Sequence, residues 1–171
     1  ALGAPQAKAA VEALRYNDYF DALVIPFDAA RMDAALVASV GAALRDNQCI
    51  RRVALTGAPG GAPLAALGKE LVLNHSLAAL DLTGSALEDK GAIALANDYL
   101  ATHALKGLKL ARCGMEKKGC VTVLRALAAN KEMPRTLREL ILSGNKLDSD
   151  GTAELFQLLD RADALRILEV D

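Results

Sequence analysis

Residues 77–91 read LAALDLTGSALEDKG, and the pattern returns as LKGLKLARCGMEKKG at 105–119 and as LRELILSGNKLDSDG at 137–151. The three copies align without gaps. Apolar residues stand at positions 1, 4, 6 and 11 and glycine at position 15: Leu77, Leu80, Leu82, Leu87 and Gly91; Leu105, Leu108, Leu110, Met115 and Gly119; Leu137, Leu140, Leu142, Leu147 and Gly151. Apolar residues two apart within LxxLxL make a short strand with one inward face. After each glycine the period changes, with Leu95 and Tyr99 in one copy and Leu155 and Leu159 in another at helical spacing.

Weaker copies extend the pattern outward through Ile50, Val53 and Leu55, through Leu165, Leu168 and Val170, and at the front through Phe20, Leu23 and Ile25. Six strands follow, their first positions 27 to 32 residues apart. Strand, turn and helix repeated at this period predict an α/β solenoid of leucine-rich repeats, a horseshoe resembling ribonuclease inhibitor. Its parallel sheet lies on the concave side and its helices on the convex side. Residues 16–171 are read as the array, about five repeats, and residues 1–15 as a lead-in, either a short helix or disordered. The TGAPGGAP segment after Leu55 replaces the usual entry into a helix with a remodelled turn. Because the last strand, ILEVD, has no helix after it, a fragment of a longer array is expected, self-associating through uncapped ends.

With 20 Lys and Arg against 21 Asp and Glu, the chain shows no net positive charge for gripping nucleic acid. No apolar run reaches the roughly 20 residues of a membrane span, and ALGAPQAKAA lacks a signal-peptide core, which points to the cytosol. Cys49, Cys113 and Cys120, an odd set without CxxC spacing, are read as reduced thiols rather than a disulfide framework or zinc site. Cys113 shares position 9 with Ser85 and Asn145, where a small polar residue satisfies the turning backbone, so it is read as a buried ladder residue.

No GxSxG, GxxxxGK[ST] or HExxH motif occurs, and no cofactor or catalytic residue is assigned. His75 and His103 each precede a repeat by two residues, which places them one strand spacing of roughly 4.8 Å apart. The neighbouring register holds Gln48 and Arg135, with no carboxylate or thiol to complete a metal site, so solvated loop histidines are the expectation. Asp81, Lys109, Glu139, Arg52 and Glu169 are read at position 5, which alternation turns onto the concave face. Thr83 and Ile141 are read at the flanking positions beside Ala79, Gly107, Ala111 and Ser143. Together they form the candidate protein-binding surface.

From Tyr16 onward the chain resembles the CARMIL family of actin regulators, in the ordered blocks YNDYF, LEDKG, LKGLKL, LRALAAN and LRELILSGNKL. The resemblance implies a cytoplasmic scaffold associated with actin capping protein, the actin-related complex and myosin I, regulating actin assembly. The capping-protein motif of that family is a basic extended segment that nothing in this sequence matches, so no binding residue is carried over. Two other readings stand beside it. One is a GTPase-activating repeat protein of the Ran type, with Arg112 or Asn145 in a turn; the other is a structural spacer.

Overall fold

The computed structural model describes residues 4–27 and 34–171. Among them, six strands form one parallel sheet in sequential order: β1 (Ala22–Val24), β2 (Arg52–Ala54), β3 (Ala79–Asp81), β4 (Gly107–Lys109), β5 (Glu139–Ile141) and β6 (Ile167–Glu169). Between them run α2 (Ala34–Asp46), α3 (Ala62–Leu71), α4 (Glu88–Leu95), α5 (Lys117–Ala129) with the short α6 (Met133–Thr136), and α7 (Ser149–Leu159); α1 (Ala4–Ala13) precedes the first strand. Each long helix packs on the next, α1 through α5 and then α7. The result is a leucine-rich-repeat solenoid.

The register runs through the middle of every strand: Leu23, Val53, Leu80, Leu108, Leu140 and Leu168 lie side by side. Of these, Val53, Leu80, Leu108 and Leu140 are buried, as are Leu55, Leu82, Leu110 and Leu142 at position 6. Full burial of one such side chain contributes about 1.5–3 kcal/mol. The outer repeats differ. Phe20, expected inward at the front, is 58% exposed, and Val170 is 38% exposed, because each lies in a terminal repeat with a neighbour on one side only.

The turns after β2, β3, β4 and β5 take left-handed backbone at position 8. Gly57, Gly84 and Gly144 supply it with φ of 70°, 71° and 73°. In the second clear copy Arg112 adopts the same conformation, φ 50°, without the freedom that glycine has. In TGAPGGAP, the expected remodelling is visible: Gly60 passes so close to the Ala86 carbonyl that a Cβ would sit 2.7 Å from its oxygen, and Pro63 stands in the first turn of α3. Asp148 caps α7, accepting from the Gly151 N–H at 3.0 Å. Asp89 reaches across to the next repeat, accepting from Glu116 and Gly119 N–H at 2.8 and 2.9 Å, which serves the first turn of α5. A side chain at Gly119 would strike this carboxylate, since its Cβ would lie 2.5 Å from Asp89 Oδ1.

Two polar ladders close the repeats at opposite ends of the sheet. At position 9, Ser85 donates to the Leu55 carbonyl at 2.7 Å, the Cys113 thiol to Leu82 at 3.1 Å, and the Asn145 amide to Leu110 and Leu142 at 2.7 and 2.6 Å. Cys113 is therefore the buried ladder residue its position predicts. The second ladder is one the repeat pattern had not flagged. Asn74 is fully buried, donates to the Leu44 and Asn47 carbonyls at 2.6 and 2.7 Å, and accepts from Ser76 and Leu77 N–H. Asn47 and Asn130 repeat this arrangement between their own neighbouring helices and strands. The signal was present in the sequence: Asn47 and Asn74 each stand three residues before the first apolar position of a repeat. Thr102 takes that place one repeat on, and there the Leu105 N–H turns instead to the Met133 sulfur at 3.3 Å.

Candidate functional site

Outward-facing strand residues form two rows across the concave face. The register corrects the sequence reading at three places. Arg52 pairs with Ala79, then Gly107, Glu139 and Ile167, so Arg52 and Glu139 stand at position 3. Ala54, Asp81, Lys109, Ile141 and Glu169 make the position 5 row, which moves Ile141 there. Positions 3 and 5 share a face in a strand, so the six candidates that lie within strands remain on the concave side. Thr83 sits beyond the end of β3, its N–H held by Asp81 Oδ1 at 2.9 Å.

The two rows are tied diagonally. Lys109 Nζ meets Glu139 Oε1 at 2.9 Å, from position 5 of β4 to position 3 of β5. Gly107 lies beneath this pair, where even an added Cβ would be only in ordinary contact, 3.6 Å from Glu139 Oε2 and 3.5 Å from the Ala79 methyl. Arg52 is drawn instead to Asp21, at 3.1 and 3.2 Å from its two carboxylate oxygens, and Val24 on β1 is 67% exposed. A shallow pocket of about 110 Å³ is left between Arg52, Asp81, Lys109 and Glu139, with Ala79 and Gly107 as its floor. Small residues therefore form the base of the face and alternating charges its walls. This arrangement can seat a side chain or a short peptide backbone; it holds no group placed to act as a nucleophile.

His75 and His103 are stacked at a centroid distance of 5.4 Å, close to the strand spacing, and His103 also stacks on Tyr99 at 4.7 Å. Among the described residues no cluster of three His, Cys, Asp or Glu could hold a metal ion. Burial pushes the Cys113 thiol up to about 12 and the Cys120 thiol up to about 11. Neither is a ready nucleophile. Asn145, considered for a GTPase-activating turn, spends its amide on Leu110 and Leu142 carbonyls and its Oδ1 on Cys113 and Met115 N–H. It has no group left for a bound partner.

Comparison with known proteins bears on the fold. A family profile described as leucine-rich repeat matches residues 73–96 and 134–155. No curated protein matches the chain. Among solved structures, the actin-binding site 2 domain of leiomodin-1 is similar, with a TM-score of 0.69 and 18% identity over 95% of this chain and 91% of that one. The C-terminal domain of tropomodulin from Caenorhabditis elegans is similar with a TM-score of 0.70 and 15% identity, over 91% of this chain and 92% of that one. At these identities the likeness is one of fold, and it agrees with the repeats read from residues 77–151: the chain folds as a leucine-rich-repeat solenoid.

Proposed function

We propose that the chain is a non-catalytic protein-interaction scaffold of an actin-cytoskeleton regulator, binding its partner across Arg52, Asp81, Thr83, Lys109, Glu139, Ile141 and Glu169. The observation that carries this reading is the concave face itself: small-floored, walled by charges of both signs and presented by a sheet whose register is fixed strand by strand. Concave solenoid faces are extended binding surfaces. The actin connection draws on two supports. The chain superposes along most of its length on the leiomodin-1 actin-binding site 2 domain, and its sequence blocks resemble the CARMIL repeats. The finer reading is of a CARMIL-type protein of the cytoplasmic actin cytoskeleton. In that reading capping protein, the actin-related complex and myosin I are partners of the whole protein.

The test is co-sedimentation with actin filaments, together with affinity capture using purified monomeric actin, capping protein, actin-related complex and myosin I. Binding to one of these that Asp81→Lys with Glu139→Lys weakens about tenfold, at unchanged thermal stability, supports the reading. Binding that survives both reversals moves the site off the concave face, and a failure to bind any of the four overturns the actin assignment.

A further inference from the structure

At position 2 of the repeats, one step before each strand, stand Asp21, Arg51, Ala78, Lys106, Arg138 and Arg166. Five of these six are charged, and from β2 onward every charge is positive. The backbone fixes the row firmly. The Arg51 carbonyl accepts from both Ala78 and Ala79 N–H, that of Ala78 from Lys106 and Gly107, that of Lys106 from Arg138 and Glu139, and that of Arg138 from Arg166 and Ile167, all within 2.6–3.2 Å. Four cations are thereby held on β2, β4, β5 and β6 along one edge of the sheet. At roughly 4.8 Å per strand, Arg51 and Arg166 stand about 19 Å apart.

Two open pockets run along this edge and share Lys106 and Thr136. One, about 480 Å³, also takes in Arg51, His75 and Ala104; the other, about 410 Å³, takes in Arg135, Arg138 and Arg166. Ala78, Ala104, Thr136 and Ala164 give their walls short, largely apolar side chains. The basic groups here are exposed, and none of Arg51, Lys106, Arg135, Arg138 or Arg166 forms an ion pair among the described residues. Elsewhere the bases do pair, as in Lys109 with Glu139, Arg125 with Glu154 and Lys146 with Glu116. Asp21, the one acid of the row, is engaged by Arg52.

We propose that this edge is a second docking surface, separate from the concave face, and that it takes an acidic, extended polypeptide segment lying across the strands. A span of about 19 Å accommodates about six extended residues at 3.3 Å each. Carboxylates on such a segment meet the four row cations and Arg135, while its methylene groups lie against the short walls of the two pockets. Duplex nucleic acid fits less well, because its affinity grows with each phosphate neutralised and this row supplies four cations.

The experiment is fluorescence anisotropy with a labelled peptide containing six consecutive glutamates, in low salt, alongside an equally long lysine peptide, a labelled single-stranded oligonucleotide and a labelled duplex. The glutamate peptide is expected to bind and the lysine peptide not. Lys106→Glu with Arg138→Glu is expected to weaken binding at least about tenfold, from lost and reversed pairs, and the neutral Lys106→Gln with Arg138→Gln by a smaller factor in the same direction. Lys109→Ala, on the concave face, is expected to leave it within twofold. Retained thermal unfolding shows that each variant is folded. Glutamate-peptide binding that ignores both double variants, or that falls equally with Lys109→Ala, overturns the proposal. Tighter binding of either nucleic acid than of the peptide assigns the edge to nucleic acid instead and overturns it as stated.

Discussion

The imidazole rings of His75 and His103 stack 5.4 Å apart with their planes 19° from parallel. Burial first, and then the charge on His75, hold the His103 pKa below its ordinary 6.5; carbonyls of Tyr99 and Val72 pull it the other way with less effect. The folded protein thus takes up this proton less readily than the unfolded chain does. Stability from this site is complete above about pH 6.5 and declines as the pH falls through the lower, folded value. Urea titrations from pH 8 to pH 5 are expected to show a shallower decline for His103→Gln than for the natural sequence. Parallel curves would show that the stack is not linked to folding.

Leu108 and Lys109 are neighbours in β4 with opposite fates. Leu108 is fully buried at the centre of the apolar row, whereas Lys109 reaches outward to Glu139. Leu108→Ala is expected to destabilise by about 2–5 kcal/mol through lost burial and the cavity left behind. Lys109→Ala, losing one partly exposed ion pair, is expected to cost no more than about 1 kcal/mol. Denaturant midpoints at constant slope measure both, and similar losses would contradict the facing assigned to this strand.

Asn74 satisfies two carbonyls and two N–H groups at a site without water access. Asn74→Ala leaves them unpaired, and a loss of about 2–4 kcal/mol is expected in the same titration. A loss under about 0.5 kcal/mol would mean that the surrounding backbone finds other partners.

Arg112 occupies the turn position that glycine fills in three other repeats, with φ 50°. Relief of left-handed strain, about 1–2 kcal/mol, exceeds the added chain entropy of glycine, about 0.5–1 kcal/mol. Arg112→Gly is accordingly expected to raise stability by about 0.5–1 kcal/mol, read as a higher melting temperature. A lowered one would show that the Arg112 side chain, which packs over Gly144, contributes more than its backbone loses.

Thiol labelling separates the cysteines. Cys113 and Cys120 are buried with thiols pushed up to about 12 and about 11, while Cys49 is partly exposed. At pH 8 one thiol per chain is expected to react quickly in the native protein and the remaining two only on unfolding. Two fast thiols would place a second cysteine at the surface.

A solenoid turns repeat position into spatial row, so residues about 28 apart in the sequence become neighbours across a strand spacing. For this reason the sequence by itself determined the strand order, the inward leucines, the position 9 ladder and the proximity of His75 to His103. It also carried the asparagine ladder and the basic edge. The edge was hidden because a net charge of −1 averages over the chain and says nothing of how charges group by position. Only the tertiary structure decided what depends on register and reach. It joined Lys109 to Glu139 diagonally across β4 and β5, and it turned Arg52 to Asp21 on the β1 side. Phe20 stays exposed although it matches the pattern of buried Ile50 and Leu77, because burial comes from the repeat stacked beside a residue and not from the residue itself.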